Sequence, residues 1–332
     1  MNKIAGESLE QRIFSISGSQ DFENLALDVF HFQYQNCTVY QKFCDALDMD
    51  VYAVQTISEI PFLPVELFKK HRIVSFEGEE EIVFSSSGTT GSIPSKHYIR
   101  DVKLYEKSFL QSFRLFYGDP SEYCILALLP AYLERKGSSL VYMAGQLIKA
   151  SGHSLSGFHL KDLDVLADKL VKLMDSNQKV LLIGVSFALL DLATLFPMRL
   201  SNATIMETGG MKGRRREMIR AELHQTLCEA FDQEVIHSEY GMTELLSQAY
   251  SKGKGLFTTP PWMQVLIRDS NDPLEILEAG RTGGVNIVDF ANLYSCSFIA
   301  TQDLGRINSD GTFEVLGRFD NSDVRGCNLM IG

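Results

Sequence analysis

The sequence predicts an α/β protein: layered, doubly wound, mostly parallel sheets with helices, plus a small antiparallel or barrel-like β region near the C-terminus. Three observations carry this expectation. Short apolar runs ending in Gly, Pro or Ser recur through the middle of the chain: EYCILALLP, KVLLIGVS, ATIMETGG and EVIHSEYG. Helix-like segments lie between them, at 101–116, 138–151, 161–175, 187–195 and 214–231. Apolar runs buried on both faces and separated by helices are the mark of parallel strands. From about residue 262 the texture changes to strand-like stretches joined by close turns, which is an antiparallel pattern.

Taken in order, the first seventy residues read as helical. DFENLALDVFHFQYQN lines up Phe22, Leu25, Leu27, Val29, Phe30 and Phe32 on one broad apolar face. IPFLPVELFKK then interrupts with two prolines. A strand over Glu81–Phe84 opens the α/β part. Beyond 262, the stretches MQVLIRD, LEILEAG, GGVNIVDF, CSFIATQDLG and FEVLGRFD read as strands, with Ser309-Asp310-Gly311 as a turn. The expected organisation is a helical region over 1–70, an α/β body over 71–261 and a β-rich region over 262–332, all in one compact unit.

Charge and composition exclude several classes. The chain of 332 residues carries a net charge of −11, and its longest basic cluster is Arg214-Arg215-Arg216, so nucleic acid is not an expected partner. The first residues, MNKIAGESLEQRIFSIS, interrupt any signal-like apolar run with Glu7 and Glu10. No stretch reaches the length of an apolar membrane span. The six cysteines (37, 44, 124, 228, 296, 327) form no C-x-x-C pair and read as reduced thiols, most of them buried, in a cytoplasmic protein.

The stretch richest in chemistry is FSSSGTTGSIPSKHY, residues 84–98. Glycine lets a backbone approach a ligand closely, and hydroxyls with free N–H groups around it make an anion-binding concavity. Lys96, eight residues after Gly88, adds a point charge. The spacing is not that of a Walker loop. A flexible surface loop has the same composition, but the strand before it and the lysine after it favour phosphate.

HSEYGMTE (237–244) follows at the end of another expected strand, where open α/β sheets bind ligands. There Tyr240 suits an adenine ring, Thr243 a phosphate and Glu244 a hard cation such as Mg²⁺. ETGG (207–210) offers backbone to a flat ligand. ATQDLG (300–305) puts Asp303 in a turn, facing ribose hydroxyls, and GRFD (317–320) offers Arg318 to the same nucleotide. His97 could contact substrate or nucleotide, whereas His237 packs in the sheet.

Together and in this order, the stretches resemble the adenylate-forming superfamily of acyl and aryl ligases, over residues from about 60 to the end. The resemblance implies that ATP and a carboxylic acid form an acyl-adenylate and pyrophosphate. By matching position, Ser86, Ser87, Gly88, Thr89, Thr90, Gly91, Ser92 and Lys96 would cradle the phosphates. Gly209, Gly210, Tyr240 and Gly241 would also bind the nucleotide, with Tyr240 suited to the adenine ring. Thr243 would touch the α-phosphate, Glu244 would hold Mg²⁺, and Asp303 and Arg318 would grip the ribose.

Such ligases continue into a small C-terminal domain after the hinge motif that GRFDNSDVRG resembles; this sequence stops at Gly332. In that respect, and in LPAYLERKGSSLVYM (129–143), it is most similar to the acyl-protein synthetase (LuxE-type) branch. The likeness implies that Cys327 accepts the acyl group for hand-over to an acyl reductase or carrier protein. Residues 318 and 327 are nine apart, a tether of at most about 30 Å. A buried, inert Cys327 is the plainer alternative. Two other functions stay open: an acyl-CoA or acyl-carrier ligase, similar to phenylacetate-CoA ligase, that uses another chain or domain, and a non-catalytic nucleotide-binding subunit. Phe187, Leu189 and Met206 hint at an aliphatic or aryl tail on the acid.

Overall fold

The computed structural model describes residues 6–86, 93–129, 137–160, 162–209 and 218–319. The chain divides into two units that interleave along the sequence. One draws on residues up to 108, 242–247 and from 258 onward; the other on 109–241 and 248–257. The three consecutive stretches expected above therefore do not coincide with the units. The N-terminal helices share a unit with the C-terminal strands, and Phe30 and Tyr40 from the helices pack on Phe298.

In the unit built on 109–241, the four apolar runs become the parallel strands Tyr123–Leu128, Lys179–Val185, Ala203–Thr208 and His237–Tyr240, and a short fifth strand, Gly157–His159, joins them. Every residue of Tyr123–Leu128 is buried, as is all of Lys179–Val185 except its first residue. That is why these runs are apolar without alternation. The spatial order is Gly157–His159, Tyr123–Leu128, Lys179–Val185, Ala203–Thr208, His237–Tyr240, and the antiparallel Ala249–Ser251 then adds to the last. The chain thus steps first to one side of Tyr123–Leu128 and then back to the other, the reversal that defines a doubly wound sheet.

Helices Ser139–Ser151, Leu163–Met174, Ser186–Leu195 and Arg220–Phe231 lie between the parallel strands in sequence. The first is capped by Ser138, whose hydroxyl accepts from Val141 N at 3.3 Å, and ends at Gly152 with φ 62°.

In the other unit, helices Gly6–Ile13, Ser19–Asn36 and Thr38–Ala46 precede an antiparallel sheet ordered Met263–Arg268, Thr282–Asp289, Phe298–Ile307 and Phe313–Arg318. Leu63–Pro64 pairs in parallel with Phe298–Ile307. The core joins helix to sheet through Phe30, Tyr40 and Phe62, whose rings all pack on Phe298. Helix Ser19–Asn36 also buries a polar residue that periodicity missed. The Gln33 amide nitrogen donates to Asn292 O, Leu293 O and Ser297 Oγ at 2.9–3.1 Å, and its oxygen accepts from Ser297 N at 2.8 Å. A separate hairpin pairs Ile82–Ser85 with Lys96–Ile99.

Two local expectations are corrected. LEILEAG is no strand: only Ile276 makes an isolated bridge, to Arg268, and Gly280 turns the chain at φ 86°. Asp303 is not in a turn but inside the strand Phe298–Ile307. The register of that strand slips between Leu304 and Gly305. A β-carbon on Gly305 would lie 2.7 Å from Glu314 O, so this close strand approach requires glycine.

Candidate active site

The hairpin Ile82–Ser85/Lys96–Ile99 carries the Ser/Gly/Thr stretch between its strands. Residues 87–92 lie outside the described residues, so Ser87, Gly88, Thr89, Thr90, Gly91 and Ser92 have no described placement; the base of the stretch is described. Ser86 N donates to Ser95 O at 3.0 Å, and Ser95 N to Ser86 Oγ at 2.9 Å, closing the hairpin. Strand alternation then exposes Lys96 and buries His97.

His97 is fully buried and hydrogen-bonds to the Thr243 carbonyl at 3.0 Å and the Ser295 hydroxyl at 2.8 Å. Burial pushes its pKa down to about 4, against the opposing effect of the Thr243 bond. It is therefore a neutral internal strut, not the ligand contact its place after Lys96 suggested.

Thr243 and Glu244 form an irregular turn, and their surroundings are polar and buried. The Asn292 amide donates to Glu244 O at 2.8 Å. Asp289 accepts from Leu246 N (2.9 Å), Ser247 N (2.9 Å), Ser247 Oγ (2.6 Å) and Ala291 N (3.0 Å). Trp262 Nε1 donates toward Ser108 Oγ and Ser247 Oγ at 3.0 and 3.1 Å. The Glu244 carboxyl is itself buried. Its pKa is raised by that burial, while the Ser95 hydroxyl and the charges of Lys69 and Arg318 act the other way.

A cation beside Glu244 would offset the cost of burying its charge. Among the described residues no group of three or more His, Cys, Asp or Glu could hold a metal ion. A single carboxylate nevertheless fits Mg²⁺, which is commonly bound by one or two carboxylates plus substrate phosphates.

Asp303 and Arg318 face each other directly across their strands and pair at 3.3 Å between Arg318 Nε and Asp303 Oδ1. Asp303 is buried and Arg318 exposed. The two positions expected to grip a ribose are thus adjacent, and Arg318 stands close enough to both Asp303 and Glu244 to act on their charges.

In the other unit, Gly209 and Tyr240 stand at or just beyond the C-terminal ends of neighbouring parallel strands. Gly209 has φ 71°, and Gly210 lies outside the described residues. The Tyr240 ring packs edge-on to Phe257 at 5.9 Å. At Gly241 a β-carbon would fall 2.6 Å from Glu239 Oε1, so only glycine lets the Glu239 side chain fold back there.

Sequence reasoning passed over Glu207 and Glu239, both buried at these strand ends. Glu207 is approached by Arg220 Nε (3.4 Å), His224 Nε2 (3.7 Å) and Ser186 Oγ (3.4 Å). Glu239 accepts from the Thr208 hydroxyl. Burial lifts its pKa to about 7, the Thr208 bond opposes the shift, and Glu207 adds to it. Cys37, Cys44, Cys124 and Cys296 are buried, as expected of small apolar thiols. Cys327 lies outside the described residues.

This fold is shared by solved ligase structures. The open form of 2-hydroxyisobutyryl-CoA ligase in complex with 2-HIB-AMP and CoA matches with TM-score 0.65 at 12% identity, over 95% of this chain and 70% of that one. ATP-bound MatB from Rhodopseudomonas palustris matches with TM-score 0.54 at 18% identity, over 73% of this chain and 49% of that one. This chain therefore spans about half the length of MatB. The fold is the one these ligase structures share.

Within that class the match is narrower. The family model "Acyl-protein synthetase, LuxE" matches residues 9–332, and the chain belongs to that family. Long-chain-fatty-acid–luciferin-component ligases are similar to it: the Vibrio harveyi protein is 22% identical over 92% of this chain and 86% of its own length. The Aliivibrio fischeri protein is 23% identical over 93% and 87%. Among the described residues no helix is long and apolar enough to cross a membrane.

Proposed function

We propose that the chain activates a long-chain fatty acid with ATP and carries the acyl group on Cys327 before passing it to a protein acceptor, an acyl reductase or a carrier protein. In the first step a carboxylate oxygen attacks the α-phosphorus of ATP. The bond from that phosphorus to the bridging oxygen breaks, and pyrophosphate leaves. In the second, the Cys327 thiol gives its proton to solvent and the sulfur attacks the acyl carbon. The acyl C–O bond breaks, AMP leaves and a thioester remains.

Lys96 and the 86–92 stretch would hold phosphates, Thr243 the α-phosphate, and Asp303 with Arg318 the ribose. Gly209, Gly210, Tyr240 and Gly241 would receive the adenine. Mg²⁺, held by Glu244, would neutralise phosphate charge. The observation that carries this reading is the family match along 9–332. The buried frame around Thr243 and Glu244 supports it, and the names of the relatives support the fatty acid.

ATP–pyrophosphate exchange over a panel of carboxylic acids tests the first step, with long-chain acids expected to drive it. Cys327→Ser tests the second. Exchange should survive, because adenylation precedes the thiol, while labelled fatty acid should no longer leave a hydroxylamine-sensitive label on the protein. Labelling at the wild-type level in Cys327→Ser would end the acceptor role of Cys327 and point to another residue of the protein, whereas intact exchange with no label on the unaltered protein would favour an external thiol such as coenzyme A.

A further inference from the structure

We propose that His97 is a positioning residue for adenylation: its imidazole grips the main chain of Thr243 and so sets where the Thr243 hydroxyl stands. The inference rests on the reading of Thr243 as a phosphate contact and assigns the group that holds it in place.

Thr243 and Glu244 sit in an irregular turn, where neither a strand nor a helix supplies partners for successive carbonyls. Both carbonyls are instead taken by side-chain groups from far along the chain: Thr243 O by His97 Nδ1 at 3.0 Å, and Glu244 O by Asn292 Nδ2 at 2.8 Å. A carbonyl can only accept, so Nδ1 carries the imidazole proton and Nε2 accepts from the Ser295 hydroxyl at 2.8 Å. Packing fixes the ring further, with Phe68 edge-on at 5.6 Å and no exposure to solvent.

His97 also lies on the strand that follows the phosphate stretch, directly opposite Phe84 and one residue after Lys96. Its neighbour Ser95 hydrogen-bonds the Glu244 carboxyl. The hairpin that carries the 86–92 stretch is therefore tied through two of its own side chains to the Thr243–Glu244 turn. A turn held in this way is pre-set for a phosphate, and small displacements of such a group are costly to rate.

The side chains of Asn and Gln separate this role from packing. The amide nitrogen of Asn falls where Nδ1 of histidine lies, and that of Gln falls where Nε2 lies. His97→Asn keeps the donor to Thr243 O and loses Ser295; His97→Gln, closer in size to histidine, does the reverse. Each is measured beside His97→Phe for acid-dependent ATP–pyrophosphate exchange and thermal midpoint. We expect kcat in His97→Phe and His97→Gln to fall about tenfold or more, with KM for the acid unchanged. His97→Asn should recover most of that loss.

Gln matching or exceeding Asn, or kcat following the thermal midpoint through the series, overturns the proposal. Should the histidine variants not fold, Ser295→Ala decides. It leaves the imidazole but removes the hydroxyl that holds its Nε2 edge in place, so kcat should fall about threefold or more, and an unchanged kcat overturns the proposal. Absence of acid-dependent exchange in the unaltered chain would instead withdraw the proposed function together with this inference.

Discussion

The two halves of the stretch HSEYGMTELLS are built by different means. His237–Tyr240 is a regular strand, paired with Ala203–Thr208 on one side and Ala249–Ser251 on the other, so its backbone needs nothing from side chains. Its cost lies in the side chains, since Glu239 is a buried carboxyl whose hydroxyl partner is Thr208. Residues 242–247 are the reverse: an irregular backbone whose polar groups are satisfied by His97, Asn292 and Asp289. A strand end tolerates a buried carboxyl because its ladder is intact, whereas an irregular segment depends on each of its partners.

Asp289→Ala should produce the largest effect if this contrast holds. It leaves the backbone N–H groups of Ser247 and Ala291 buried without this acceptor, and Leu246 N with Asn292 Oδ1 alone, which should cost about 3–5 kcal/mol in denaturant unfolding. A loss below about 1 kcal/mol would show that the segment is held by something else.

Glu239→Gln should act in the opposite direction and only at higher pH. With a pKa raised from 4.5 to about 7, folded Glu239 keeps a proton that the unfolded chain gives up. Wild-type stability therefore declines as pH rises from 4.5 to 7, and the full penalty applies above 7. Gln accepts the same Thr208 bond without titrating. It should be more stable than wild type by about 1–3 kcal/mol at pH 8, and the gain should fade toward pH 4.5. A pH-independent difference in thermal unfolding would remove the buried-charge account.

The smallest effect on stability belongs to Arg318→Ala. Its ion pair with Asp303, at 3.3 Å, joins an exposed guanidinium to the sheet and should be worth no more than about 0.5 kcal/mol. The same change should raise the KM for ATP in exchange assays. A large stability loss with unchanged KM would recast the pair as part of the sheet frame.

Much of the candidate site was legible because its residues come in short contiguous stretches: the 84–98 hairpin, the strand ending at Tyr240, and the paired Asp303 and Arg318. What supports those stretches was not. His97 lies 146 positions from Thr243, and Asn292 lies 48 from Glu244. A lone buried histidine or asparagine carries no local pattern. His97 stood beside Lys96 and invited a ligand role, yet alternation along a strand sends neighbours to opposite faces. Asp303 was misplaced for a related reason. Its polar neighbours resemble a turn, and only pairing with Phe313–Arg318 shows the strand continuing through a register slip.

By itself the sequence determined the kinds of element and the motifs. Unbroken apolar runs must become strands buried on both faces, helical spacing must present one apolar side, and a Ser/Gly/Thr stretch after a strand is suited to anions. These follow from burial and backbone freedom, which act over a few residues. The tertiary structure alone decided that Tyr123–Leu128 lies between Gly157–His159 and Lys179–Val185, that the N-terminal helices join the C-terminal sheet, and that His97, Asp289 and Asn292 converge on residues 243–247. A buried polar group must find a partner in space, and its distance along the chain places no constraint on which partner that is.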